Sequence, residues 1–140
     1  MSEDEGKLFA AHEKIEATPY ASLSPAQIIF KLIWELEAEV NNGGFQQYCH
    51  NSSGSDAPKV ELALRAIGAE KCADIVANAL ELVGGAGLDW TNDKIRQSHM
   101  LAMTPNVKGG LDELDQQFYG YPDPLSDLLG KFVIDHPKEF

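Results

Sequence analysis

Apolar residues recur along most of the chain at the three- and four-residue spacing that places them on one face of an α-helix. The clearest example begins after Ser24, which can cap a helix, and Pro25, which suits a first turn. The pattern predicts a helix that ends at Gly43, because glycine readily adopts the left-handed closing conformation. Its buried stripe is predicted to consist of Ile28, Ile29, Leu32, Ile33, Leu36 and Val40.

The same pattern, with helix-start and helix-stop residues, predicts the remaining helices. No segment alternates apolar and polar residues in the manner of a strand, so we predict an all-α fold, a single compact domain of about six to eight helices. Residues 1–23 are expected to form an N-terminal helix and linker, and residues 24–140 the main helical unit. The predicted segments are residues 8–15, 56–67, 69–83, 91–103 with its end before Thr104-Pro105, a short helix over 111–118, and 124–136.

The charge of the chain is strongly negative and unevenly distributed. Twenty-two Asp and Glu residues stand against eleven Lys and Arg residues, for a formal net charge of −11. Residues 59–103 are nearly balanced, with six acids and five bases, whereas the segments on both sides carry most of the excess. Such a surface repels nucleic acid and anionic membranes and attracts basic proteins. We therefore expect no direct nucleic-acid binding.

The cysteines and the N-terminal residues indicate a reducing compartment. Cys49 and Cys72 have no CxxC spacing, and the first ten residues contain no apolar run of the kind found in a secretory signal. The longest apolar stretch, residues 28–36, contains Lys31 and Glu35 and is shorter than the roughly 20 residues of a membrane span. We expect a cytoplasmic protein with no membrane association.

The sequence contains no recognisable catalytic or metal-binding motif. The four histidines, at positions 12, 50, 99 and 136, lack the spacing of a metal site. Cys49 and His50 are neighbours in sequence, which places their side chains apart on a helix. We predict no metal, no cofactor and no enzymatic activity.

The most distinctive segment covers residues 40–48, Val-Asn-Asn-Gly-Gly-Phe-Gln-Gln-Tyr. Asn and Gly tolerate positive φ, so the segment predicts a helix end and a tight reversal, after which Phe45 and Tyr48 enter the core. A second interpretation is a pocket for a small ligand or substrate, because polar amides lie beside two aromatic residues. The residues concerned in one role or the other are Asn41, Asn42, Gly43, Gly44, Phe45, Gln46 and Tyr48.

Residues 34–48, together with 51–54, 63–64, 67–69, 114–119 and 136–140, resemble an uncharacterised bacterial all-helical domain family. Its best-known member is DNA mimic protein nineteen. The resemblance covers most of the chain from about Ser24 onward. It implies a homodimeric acidic protein that occupies the DNA-binding face of a transcription factor and so relieves repression.

Two groups of acids are the predicted partner-binding residues. Glu35 and Glu39 lie one helical turn apart and can present carboxylates in a row, as can Asp112 and Asp115, while Glu37 points to another side of its helix. The groups are Glu35, Glu37 and Glu39, and Asp112, Glu113 and Asp115. The leading hypothesis is therefore a non-enzymatic protein that binds the basic face of a partner, such as a DNA-binding transcription factor. An immunity-type inhibitor of a basic toxin or nuclease is the first alternative. A ligand-binding or enzymatic domain with a pocket near residues 41–48 is the second.

Overall fold

A computed structural model describes residues 3–140, apart from the side chain of Asp4. Seven α-helices and three short 3₁₀ turns, without any strand, make up the secondary structure of these residues, which confirms the all-α prediction. None of the helices found there is long and apolar enough to cross a bilayer. The helices are α1 (Glu3–Glu16), α2 (Pro25–His50), α3 (Ala57–Ala66), α4 (Glu70–Val83), α5 (Asp93–Leu101), α6 (Pro105–Tyr119) and α7 (Leu125–Asp135).

Helix α2 is the centre of the molecule. It packs against α1, α3, α5 and α6, while α4 lies between α3 and α6, and α1 contacts α7. Phe30, Ile33, Leu36 and Val40 are fully buried along α2. Burial of side chains of this size contributes about 1.5–3 kcal/mol each to folding. The apolar stripe is therefore the main reason why the other helices assemble around α2.

The start of α2 follows the sequence prediction. Ser24 accepts a hydrogen bond from the N–H of Gln27 at 3.2 Å, and Gln27 Oε1 accepts from the N–H of Ser24 at 2.8 Å. This reciprocal pair satisfies two amide donors at the helix start. The Gln27 amide also donates to the main-chain oxygen of Glu139 at 2.6 Å, which ties the C-terminal residues to α2.

The start of α6 and the capping of α3 differ from what the sequence indicates. Thr104-Pro105 begins α6 rather than only ending the helix before it, because Thr104 accepts from the N–H of Val107 at 3.3 Å and Pro105 occupies the first turn. The predicted short helix over 111–118 is thus the second half of a 15-residue helix. Asp56 lies at the N-cap position of α3, but its side chain makes no capping bond and pairs with Lys59 instead.

Candidate functional site

Gly43 and Gly44 interrupt α2 without ending it. Gly43 has φ −158° and ψ 21°, and Gly44 has φ 75° and ψ −175°. A break of this kind leaves the first N–H groups of the following segment without helical partners. The carboxylate of Asp115 on α6 accepts the N–H of Phe45 at 2.8 Å. The predicted helix end at Gly43 is therefore replaced by a kink, after which α2 continues to His50.

Gly44 allows the Asp115 carboxylate to approach the backbone. Its φ lies in the left-handed region, and a Cβ at this position would stand 2.3 Å from Asp115 Oδ2. Asn41 and Asn42 are helical, and so they are not the left-handed turn residues that the sequence suggested. Phe45 is fully buried, as predicted. The glycine pair thus serves a contact between two helices as well as a change of direction.

The predicted acids of α6 occupy different environments. Asp115 is 8% exposed, and burial raises its pKa while the hydrogen bond from Phe45 opposes that rise. This burial removes Asp115 from the predicted partner-binding acids. Asp112 is exposed and accepts from Gln46 Nε2 at 3.3 Å, and Glu113 is exposed. Asp112 and Asp115 both lie near the start of the second segment of α2, where a helix favours negative charge.

Side-chain amides hold Glu39 in a fixed position. Gln47 Nε2 and Asn51 Nδ2 both donate to Glu39 Oε2, at 2.8 and 3.0 Å. Asn42 Nδ2 donates to the amide oxygen of Gln47 at 3.2 Å and so extends the network. The side-chain amides of Asn42, Gln47 and Asn51 therefore orient the carboxylate of Glu39 at the surface.

Glu37 is held by a second network. The hydroxyl of Tyr121 donates to Glu37 Oε2 at 2.8 Å and accepts from Asn41 Nδ2 at 2.7 Å. The hydroxyl of Tyr119 donates to the main-chain oxygen of Val40 at 2.9 Å, which fastens the end of α6 to α2. Tyr121 has a φ of 48°, a backbone conformation that costs energy for a bulky residue. Tertiary contacts therefore maintain the position of the tyrosine that orients Glu37.

Replacing Glu37 by Gln is expected to raise stability at neutral pH. Burial raises the pKa of Glu37, with the Tyr121 hydrogen bond acting against it. A carboxyl whose folded pKa is raised binds protons more readily in the folded state, so the wild type loses stability as pH increases through that folded pKa. Gln can still accept the Tyr121 hydrogen bond without burying a charge. Urea unfolding of both proteins from pH 3 to pH 8 measures this effect. At the acidic end the two free energies of unfolding should be equal, and Glu37→Gln should become increasingly more stable than the wild type as pH rises. A difference in stability that does not change with pH would contradict this account.

The residues of the proposed ligand pocket do not meet in one cavity. Phe45 and Tyr48 are buried in the core, with at most 1% of each exposed. Asn41 and Gln46 line two different surface grooves. Their amides bind Tyr121 and Asp112. A binding site built from the whole of residues 41–48 is therefore absent from this arrangement.

Glu35 and Glu39 lie on one face of α2 and line a groove between α1, α2 and the turn that precedes α3. We call it the acidic groove, and its volume is about 310 Å³. At its edge, Lys31 pairs with Glu35 at 2.7 Å and with Glu16 at 3.7 Å. The lining residues are His12, Glu16, Trp34, Glu35, Ala38, Glu39, Ser52, Ser53 and Asp56.

Glu37 lies on another side of α2, in a groove between α1, α2 and α7 that we call the Phe9–Trp34 groove. It has a volume of about 340 Å³. The two grooves meet at Trp34 and Ala38, which line both. The apolar lining consists of Leu8, Phe9, Trp34, Ala38 and Leu129, and the polar lining of Glu5, Glu37, Asn41 and Ser126.

A third acidic cluster was not predicted as a site. Arg65 on α3 pairs with Glu61 at 2.9 Å, Glu70 at 2.5 Å and Asp74 at 2.8 Å. The i, i+4 spacing of Glu61 and Arg65 predicts their pair from the sequence, whereas Glu70 and Asp74 lie on the next helix. Three carboxylates around one guanidinium leave a locally negative surface, although this part of the sequence is nearly balanced in charge.

Arg96 on α5 is the most important residue that the sequence pattern missed. The spacing of Ile95, His99 and Met103 predicts that this face of α5 is buried. Ile95 is instead 47% exposed, and Arg96 and Met100 face the core. Arg96 is fully buried, and no polar periodicity would place a guanidinium there. It donates to three main-chain oxygens and one carboxylate, those of Cys49, Asn51, Trp90 and Asp93.

The fold and these grooves define an acidic, all-helical protein with carboxylates oriented at its surface. The chain belongs to the DMP19-like protein family, whose model matches residues 21–136. This match confirms the resemblance carried by the segment around Gly43 and Gly44. No curated protein and no solved structure gives a significant match.

Proposed function

We propose that this chain is a non-enzymatic acidic protein that binds the basic face of a DNA-binding protein and excludes DNA by mimicry. The observation that carries the proposal is the acidic groove. Four carboxylates line it, against two lysines that pair with three of them. Membership in the DMP19-like family supports the same function.

The orientation of Glu39 favours binding of a basic partner. Its carboxylate accepts hydrogen bonds from the side-chain amides of Gln47 and Asn51. Because these amides are neutral, Glu39 keeps its full negative charge. A side chain already held in place loses little conformational entropy when a cation binds to it. Glu35, one helical turn away, is compensated by Lys31. Glu39 is therefore the acid of α2 on which we expect a basic partner to depend most.

The environment of the cysteines supports a binding role over nucleophilic catalysis. Both thiols are buried. Burial raises the pKa of Cys49 to about 12 and that of Cys72 to about 11. Both are thus protonated at neutral pH, whereas the thiolate is the nucleophilic form.

The proposed function includes a homodimer acting in the cytoplasm as a regulator of transcription. The family resemblance implies the dimer, and two copies would double the number of carboxylates presented to a two-fold symmetric DNA-binding protein. Sedimentation equilibrium of the full chain tests the dimer; a monomer at every concentration up to the millimolar range would contradict it.

Neutralising the acidic groove is expected to weaken partner binding by about tenfold at low salt. The test begins with a screen of DNA-binding proteins against the chain, followed by affinity measurements at low and high salt. The variant Glu35→Gln/Glu39→Gln should bind the identified partner more weakly and with a smaller salt dependence. The matched control is Asp127→Asn/Asp135→Asn, which removes two exposed charges from α7 and should have little effect beyond the change in net charge.

Competition with DNA distinguishes mimicry from other kinds of binding. Duplex DNA carrying the partner's own site should displace the chain from the partner. A ternary complex with DNA, or an affinity that does not fall with salt, would contradict the proposal. Inhibition of a basic nuclease or toxin, with no effect on any transcription factor, would favour the immunity-type alternative.

A further inference from the structure

The Phe9–Trp34 groove combines an apolar floor with a carboxylate at its edge. Leu8 and Leu129 are buried in its floor, and Phe9 is 48% exposed. The ring of Phe9 meets that of Trp34 edge to face, with 6.1 Å between centroids. A half-exposed aromatic ring beside an anionic group is an environment that suits a cation with an apolar stem.

The polar atoms at the edge of this groove are arranged as acceptors. The hydroxyl of Tyr121 has one proton, which it donates to Glu37, so its contact with Asn41 must be one in which Tyr121 accepts. The amide nitrogen of Asn41 therefore points toward Tyr121. Glu37 Oε1 and Asn41 Oδ1 then remain as acceptors without partners among the described residues. The Tyr121 contacts therefore use one N–H of Asn41 and leave one oxygen of Glu37 and the amide oxygen of Asn41 for a bound group.

We propose that the Phe9–Trp34 groove binds the side chain of an arginine from the basic face of the partner. This inference rests on the proposed function, and it names the residue type that is recognised. The stem of the arginine would lie along Leu8 and Leu129, and its guanidinium would reach Glu37 and Asn41. Arginine fits better than lysine, because its planar head carries five donors that can serve two separate acceptors and can also stack on an aromatic ring.

The two tryptophans of the chain provide a direct test. Trp34 lines this groove, whereas Trp90 lines a different one and donates its indole N–H to the oxygen of Gly85 at 2.8 Å. Titration of the full chain with Nα-acetyl-arginine methylamide should shift the indole ¹H–¹⁵N resonance of Trp34 and leave that of Trp90 unchanged. The corresponding lysine derivative should bind more weakly, and the uncharged citrulline derivative should bind least.

Variants at the groove are expected to change this affinity without unfolding the protein. Glu37→Gln retains the Tyr121 hydrogen bond and should weaken binding of the arginine derivative by about tenfold, because it removes the charge. Phe9→Ala alters a half-exposed side chain and should weaken it several-fold. Glu13→Gln, an exposed acid on α1 outside the groove, is the charge-matched control and should not alter binding.

The possible outcomes separate this inference from the proposed function. If a basic partner binds in a salt-dependent manner but Glu37→Gln binds it equally well and Trp34 does not respond to arginine, the inference alone is wrong. If arginine binds at Trp34 but no DNA-binding protein binds the chain, the proposed function alone is wrong. Equal shifts with citrulline, or Trp34 shifts that follow only protein concentration and reveal a self-association surface, would overturn the inference.

Discussion

Arg96→Ala should destabilise the protein by about 3–5 kcal/mol, which is a large part of the 5–15 kcal/mol that holds an ordinary domain together. The guanidinium is fully buried and donates to the main-chain oxygens of Cys49 and Asn51 at 2.6 and 2.9 Å. It also donates to the main-chain oxygen of Trp90 and so holds the loop before α5 against that helix. Removal leaves these buried acceptors without partners and leaves a cavity. Urea unfolding followed by circular dichroism measures the loss.

The size of this effect depends on burial and on the shape of the guanidinium. Arg96→Lys keeps the charge but has no planar fork, so we expect it to recover only part of the stability. Arg65→Ala is the matched control, because Arg65 makes three ion pairs at the surface, where such pairs contribute little. An Arg96→Ala protein as stable as the Arg65→Ala protein would contradict the structural role of Arg96.

Gly44→Ala should destabilise the protein by about 3 kcal/mol, because it combines the strain of a positive-φ backbone with the loss of a buried hydrogen bond. The φ of 75° is unfavourable for alanine, and the new Cβ would meet the Asp115 carboxylate 2.3 Å away. Displacement of Asp115 would leave the N–H of Phe45 without its acceptor. Thermal and urea unfolding of the variant provide the measurement.

A double-mutant cycle separates the two causes. Asp115→Ala removes both the carboxylate that the Cβ meets and the hydrogen bond that it would break. Gly44→Ala should therefore destabilise the Asp115→Ala protein by only about 1–2 kcal/mol, the cost of the positive-φ backbone alone. Gly68→Ala is the control, because Gly68 also has a positive φ but a Cβ there would meet no other atom within 4 Å. It should show the cost of the positive φ without any effect of Asp115. Full additivity of the two changes would show that Gly44 and Asp115 are not coupled.

Most of the fold could be predicted from the sequence because its helices have strong local signals. The cap at Ser24, the proline after it and most of the stripe of α2 all act within a few residues of the chain. The predicted stripe omitted Phe30, which is fully buried, and included Ile28 and Ile29, which are only partly buried. The errors occurred where a local signal was compatible with two structures. Thr104-Pro105 can end one helix or begin the next. The packing of α6 on α2 and α4 determines that it also begins a helix.

The candidate site was harder to predict, because the role of an acid depends on what lies opposite it. The sequence does not distinguish the three acids of α6, Asp112, Glu113 and Asp115. Asp115 is nevertheless buried and accepts the N–H of Phe45, while the other two are exposed. The spacing of Glu35, Glu37 and Glu39 correctly indicated two faces of α2. It could not indicate which groups hold these acids, since the amides that hold Glu39 lie beyond the kink of α2 and the tyrosine that holds Glu37 follows α6.

The sequence by itself determined the helical class, the central amphipathic helix and the excess of negative charge, since these depend on residue type and on short-range periodicity. The tertiary structure decided which acidic side chains are buried in the core and which lie at the surface. A carboxylate next to an unpaired backbone N–H becomes part of the core, as Asp115 does against Phe45, and one beside a surface groove stays accessible, as Glu37 does. That difference depends on contacts between α2 and α6 that no local pattern contains.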